Sequence, residues 1–126
     1  MVTSVADYTE VIKGSHSTSQ ASGTLVGGNV VMVSGSGTVA VATAAGAGAV
    51  CGVVGNDAVS GAKVDVISGG VHDLVCQGAI VAGTPVTVGS VNGSVATIGA
   101  ATFEKMIGIA LTTGVDTALV RVRLYR

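Results

Sequence analysis

Valine fills 25 of the 126 positions and glycine 20, and the valines come in short runs that glycine keeps interrupting. A β-branched side chain is stiff about χ1 and suits the pleated surface of a strand. Glycine supplies the positive φ angles that tight turns need. The chain therefore reads as all-β: a small Greek-key or β-barrel-like domain made of hairpins, with an N-terminal extended arm. Four hairpins are expected. Ala62–Ser68 turns through Gly69-Gly70 into Val71–Gln77, and Val86–Val91 turns through Asn92-Gly93 into Ser94–Ile98. Both central pairs suit a primed two-residue turn. Asn29–Val33 turns through Ser34-Gly35-Ser36-Gly37 into Thr38–Thr43. A looser hairpin joins Met106–Thr112 to Thr117–Tyr125 through Thr113-Gly114-Val115-Asp116. Val50–Val54 and Tyr8–Lys13 are further strands. Pro85 opens a strand, where its missing N–H does least harm. Ala101–Lys105 is the one candidate helical turn.

Residues 14–24, Gly-Ser-His-Ser-Thr-Ser-Gln-Ala-Ser-Gly-Thr, are polar and carry no apolar period, so they read as a flexible linker. The expected plan is an arm and linker over 1–24 and a β domain over 25–126. The last strand sorts by face. Ala118, Val120, Val122 and Leu124 point to the core, while Thr117, Leu119, Arg121, Arg123 and Tyr125 point outward. The outward set is either a solvated face or a contact face for an acidic partner.

Composition excludes several functions. Only 10% of residues are charged and the net charge is −1, which gives no general attraction to nucleic acid or an acidic membrane. One Phe, two Tyr and no Trp leave nothing to stack bases on. The nearly apolar stretch Val39–Gly55 falls short of the roughly 20 residues a spanning helix needs, and glycines punctuate it. Asp7 and Glu10 interrupt the N-terminal apolar residues, so no signal peptide is expected. Cys51 and Cys76 alone do not make a disulfide framework. Synthesis in the cytoplasm is the default.

A chemical site is hard to assemble from these residues, and no enzyme, metal or cofactor is expected. His16 lies in the serine-rich stretch and His72 in a strand, with no Gly-x-Ser-x-Gly elbow to present a nucleophile. His72 and Cys76 are four residues apart on one strand, about 13 Å at strand rise, too far to chelate one ion without a bend. Gly35-Ser36-Gly37 and Gly46-Ala47-Gly48 neither open a helix nor precede a Lys-Ser/Thr pair. The carboxylates Asp7, Glu10, Asp57, Asp65, Asp73, Glu104 and Asp116 are scattered. A swinging-arm carrier needs a lysine at a hairpin tip, which Lys13, Lys63 and Lys105 do not provide.

A small domain with a valine and alanine core gains little per buried residue, and open sheets expose edges that natural monomers protect. Three lysines and one proline are few guards. Assembly with other chains is the expected remedy. A short strand on a tether, Tyr8–Lys13, can add to a neighbouring sheet edge through main-chain hydrogen bonds.

The order Cys51-Gly-Val-Val, Ser60-Gly-Ala-Lys-Val-Asp-Val, Gly69-Gly-Val-His-Asp-Leu, Ala82-Gly-Thr-Pro-Val-Thr-Val, Met106-Ile-Gly-Ile-Ala-Leu and Ala118-Leu-Val-Arg-Val-Arg-Leu resembles the small capsid decoration (cement) proteins of tailed bacteriophages. The likeness runs from about Asn29 to Tyr125, outside the opening segment. It implies a β-barrel-like fold and a homotrimer on the outside of an icosahedral head. It implies no catalysis and a mechanical role, clamping adjacent major capsid subunits. The partners would be the major capsid protein and other copies of the chain, with no nucleic acid and no membrane. The residues expected to make capsid or trimer contacts are Tyr8, Thr9, Glu10, Val11, Ile12 and Lys13 of the arm, with Arg121, Arg123 and Tyr125 of the last strand. The alternative is a glycine-rich β module of a phage tail fibre or adhesin that binds carbohydrate, which the few aromatics disfavour.

Overall fold

Each valine run inside the described region becomes a strand. The computed structural model describes residues 11–99 and 103–126. Its strands are β1 Ser15–Ala21, β2 Val30–Gly35, β3 Thr38–Val41, β4 Val50–Val54, β5 Lys63–Ser68, β6 Val71–Val75, β7 Pro85–Val88, β8 Val95–Thr97, β9 Gly108–Ala110 and β10 Leu119–Leu124. Ala47–Ala49 and Phe103–Lys105 form 3-10 turns. Strands β1 to β5 close a barrel in the order β1-β3-β2-β4-β5, and β6 to β10 form a second sheet in the order β6-β10-β9-β7-β8. The all-β, barrel-containing expectation holds. No helix among the described residues is long and apolar enough to cross a membrane.

The second sheet repeats the first strand for strand. β2 pairs antiparallel with β3 and β4, as β7 does with β8 and β9. β5 pairs antiparallel with β4 and β1, as β10 does with β9 and β6. β1 runs parallel to β3 at Ala21 and Val39, and the same closure reappears as a single parallel bridge between Cys76 and Val95. The registers also match: Thr18 faces Asp65 where Asp73 faces Arg121, and Val31 faces Gly52 where Val86 faces Gly108. Loop bonds match too. The Gly27 amide donates to Asp57 Oδ1 at 2.8 Å, and the Ala82 amide donates to Thr113 Oγ1 at 3.1 Å. The two 3-10 turns occupy corresponding places.

Gly52 and Gly108 show why the repeat tolerates so few residue types. A Cβ at Gly52 would collide with the Ile67 carbonyl, and one at Gly108 with the Arg123 carbonyl. At both places two strands approach too closely for a side chain. Thr117 marks the opposite case. It stands where Gly61 stands in the first half and keeps a left-handed φ of 68°, uncommon for a β-branched residue.

Most buried apolar side chains fall into two clusters. One fills the first barrel with Ala21, Leu25, Val31, Val39, Val54 and Val66 among others. The other fills the second half with Ile80, Val86, Ile107, Val120 and Val122, and takes in Val30, Ala42, Ala47, Val50 and Val53 from the first. The second cluster therefore welds the two halves.

Several expectations are corrected. Gly69-Gly70 is not a hairpin turn: both glycines have positive φ, yet β5 and β6 do not pair. The N-terminal segment pairs with both instead. Ser15 faces Ser68, and in the same register Ile12 faces Val71 across the glycines. A side chain at Gly70 would meet the Ile12 carbonyl at 2.5 Å, so the crossing strands need this glycine. The expected linker contains β1, so the barrel includes residues before Leu25. β1 carries no apolar alternation, but its backbone pairs along β5 from Ser15 to Gln20 and with β3 at Gln20 and Ala21, and these partners hold it as a strand without that alternation. The Asn92-Gly93 hairpin exists with a longer loop: the Gly89 amide donates to the Ser94 carbonyl, leaving Ser90–Gly93 between. The β2–β3 hairpin forms with a tighter turn than expected, since Gly35 still faces Thr38 and only Ser36-Gly37 lie between; the β9–β10 hairpin forms, and Pro85 opens β7. Ala47–Ala49 is a helical turn the sequence reading missed. Of the strand expected at Tyr8–Lys13, residues Tyr8, Thr9 and Glu10 lie outside the described residues, and Ile12 makes an isolated bridge.

Candidate interaction surface

β10 displays the expected two faces. Val120, Val122 and Leu124 are buried, while Leu119, Arg121, Arg123 and Tyr125 are exposed. Its neighbours decide what the outward face can do. Arg121 lies opposite Asp73 of β6 and donates from Nε to Oδ1 at 3.1 Å. That hydrogen bond, with the carboxylate charge behind it, holds the guanidinium above its usual pKa. Arg121 is thus engaged within the sheet. Arg123 lies between Val71 of β6 and Ile109 of β9.

The arm and the arginine strand come together here. Ile12 faces Val71, Val71 faces Arg123, Arg123 faces Ile109 and Ile109 faces Pro85, so one row crosses the sheet. Val11 and Lys13 are exposed beside Ile12, which is 54% exposed. Tyr125 follows β10 at 52% exposure. The two groups of expected contact residues thus share one sheet. Tyr8, Thr9 and Glu10 lie outside the described residues.

Arg126 behaves differently from the other two arginines. Its guanidinium turns back to donate to the carbonyls of Ala47 at 3.2 Å, Gly48 at 2.8 Å and Glu104. It ties the C-terminus to both 3-10 turns, which is a fastening and not a docking group.

The polar residues weighed as chemical groups are built into the fold. His72 is fully buried, and its Nε2 donates to the Gly69 carbonyl at 2.7 Å, holding the β5–β6 crossing. His16 Nδ1 lies 2.6 Å from Asp65 Oδ2. Burial raises the thiol pKa of both Cys51 and Cys76, with the Asp116 charge adding to the effect at Cys76. Among the described residues no group of three His, Cys, Asp or Glu side chains could hold a metal ion.

The sequence reading missed one surface. Phe103 is 84% exposed, and Ile98, Met106, Ile109 and Pro85 beside it in the repeat are half-buried. The signal that could have found it is the internal repeat, because the matching residues of the first half are all buried.

No family model matches the chain, and no curated protein matches it. Among solved structures, the chain is similar to the N base of the head fiber protein gp8.5 of bacteriophage phi29. The likeness covers 87% of this chain and 92% of that one, at a TM-score of 0.62 and 14% identity. At that identity the likeness is one of fold: the chain shares the architecture of a phage head-fiber base.

Proposed function

We propose that this protein is a structural component of a phage virion. It binds the outer surface of an icosahedral head as a homotrimer and stiffens the shell by clamping adjacent major capsid subunits. It is made in the host cytoplasm and performs no catalysis. The observation that carries this reading is the fold shared, over nearly the whole length of both chains, with a base that belongs to a phage head. The local residues suit the role. A low-charge, small-side-chain body adds little net field, so its contacts depend on shape and backbone. The N-terminal segment pairs with β6 at Val71, which shows that its backbone can add to a sheet edge. Many identical copies multiply a weak contact by avidity.

A second reading is favoured by the same neighbour: the fold serves as the seat of a longer surface fibre. Electron microscopy of particles with and without the protein separates the two. The first reading expects a low knob bridging capsid subunits, and the second expects a seat from which a projection rises. A chain lacking residues 1–10 keeps the Ile12–Val71 pairing and is expected to fold, with particle occupancy reduced at least tenfold. Undiminished occupancy removes the arm from the contact, and full-length protein that binds no particle rejects the reading.

A further inference from the structure

The two halves contact each other through different surfaces. Val30, Ala42, Ala47, Val50 and Val53 form an outer wall of the first half, and all are buried in the cluster of the second half. Their counterparts in the second half are Pro85, Ile98, Phe103, Met106 and Ile109, and none of these is buried. The converse holds at the barrel ends. Leu74, Val88 and Leu124 of the second half are buried in that shared cluster. Their counterparts Ser19, Val33 and Ser68 are not, and Val33 is 53% exposed. Wall meets end, so the contact is head-to-tail and leaves one wall and one end over.

The hairpin loops show the same asymmetry. Gly37 and Gly93 are counterparts with φ of 75° and 80°. Gly93 rests on the first half: a side chain there would meet Asn29 and Val41, and its amide donates to the Ala42 carbonyl at 3.0 Å. A side chain at Gly37 would meet nothing within 4 Å.

We propose that the wall of Pro85, Ile98, Phe103, Met106 and Ile109 docks onto the first barrel's open end in a second copy of this chain, at Ser19, Val33 and Ser68. The geometry is the one by which the two halves of a single chain already dock. In that contact Gly37 of the second copy lies against Thr84, Thr97 and Ile98, the counterparts of Asn29, Val41 and Ala42. The junction is more polar than the internal one. Serines replace Leu74 and Leu124, Arg123 stands where Ile67 stands, and Pro85 lacks the N–H with which Val30 bonds the Gly93 carbonyl. A head-to-tail contact closes into a ring where its rotation allows and otherwise grows as a filament. The proposal deepens the self-association in the reading above and rests on that part of it, not on the capsid.

Light scattering on three chains tests it. The parent associates. Phe103→Asp and Val33→Asp change exposed positions and keep the parent's circular dichroism. Each variant alone is monomeric at concentrations where the parent is not. Mixed one to one they form a dimer and nothing larger, because a single intact wall meets a single intact end. A parent that stays monomeric, a variant that keeps the parent's mass, or a mixture without dimer overturns the proposal. A chain that associates in this way but binds no particle rejects the capsid reading and leaves the interface standing.

Discussion

The barrel of β1 to β5 and the sheet of β6 to β10 share their pairings and registers, yet they part company in side chains. Val53 of the first half is fully buried while Ile109, in the same place, is half-exposed. β1 reads Ser-His-Ser-Thr-Ser-Gln-Ala where β6 reads Val-His-Asp-Leu-Val. Asp65 and Arg121 occupy equivalent positions with opposite charge. What both halves keep is what the backbone demands: Gly52 and Gly108 at the close strand approach, and Gly28 and Gly83, both at positive φ, at the turn before the hairpin. Backbone geometry is the repeated element, and the side chains are free to make one half a plug and the other a socket.

Alanine at the paired glycines tests the shared part and carries the largest expected effect. Gly52→Ala and Gly108→Ala should each cost about 3 kcal/mol, since a methyl is forced onto a carbonyl of the neighbouring strand. Gly52 should suffer more, because its φ of 150° adds backbone strain. Urea unfolding midpoints decide it, and a cost under about 1 kcal/mol at Gly108 would mean that the two halves do not share the tight approach. Burial predicts the next difference. Val53→Ala should cost about 2 kcal/mol from lost methyl burial plus the cavity. In the monomer Ile109→Ala should cost less than half as much, despite removing more atoms. Equal costs would erase the asymmetry between the walls.

Thr117 gives a smaller effect of opposite sign. Thr117→Gly should stabilise by about 1 kcal/mol by relieving the left-handed conformation, and Gly61→Thr should destabilise by a similar amount. A destabilising Thr117→Gly would show that the threonine side chain compensates for its own strain. The smallest effect is in pH. Burial holds both thiols above their ordinary value of 9.0. The stability this represents is full below pH 9.0 and is lost as pH rises through the folded values, because the unfolded thiols ionise first. Cys76→Ala should flatten its share of that alkaline slope, and an unchanged slope would remove Cys76 as a cause.

Local chemistry was legible where it acts locally. The two faces of β10 could be assigned from alternation alone, and three of four hairpins follow from turn residues between valine runs. β1 was not legible, because its strand state comes from pairing along β5, closed by β3 at Gln20 and Ala21, and not from any apolar alternation. Gly69-Gly70 misled for a related reason. Two glycines at positive φ suit a hairpin, but Ile12 and Ser15 already pair with the residues on either side of them. The repeat was faintly visible in Val26 and Val81, Gly28 and Gly83, Gly52 and Gly108, and Val66 and Val122. It was masked because such residues recur by chance in a chain so rich in valine and glycine, and because one hairpin loop is a residue longer than its counterpart. The exposed surface was half legible: the outward placing of Arg121, Arg123 and Tyr125 follows from alternation, whereas the exposed apolar wall around Phe103 does not.

By itself the sequence determined that this chain is all-β, where most of its strands lie and which residues of the last strand face inward. Those properties follow from χ1 stiffness, the period-two geometry of a strand and the φ freedom of glycine, all short-range effects. The tertiary structure alone decided which strands are neighbours, that the polar segment before Leu25 closes a barrel, and that one half covers the other head-to-tail. Pairing is a competition among edges with nearly identical backbone hydrogen bonds. It is settled by burying Val30, Ala47 and Val53 across the halves, a contact that no local pattern encodes.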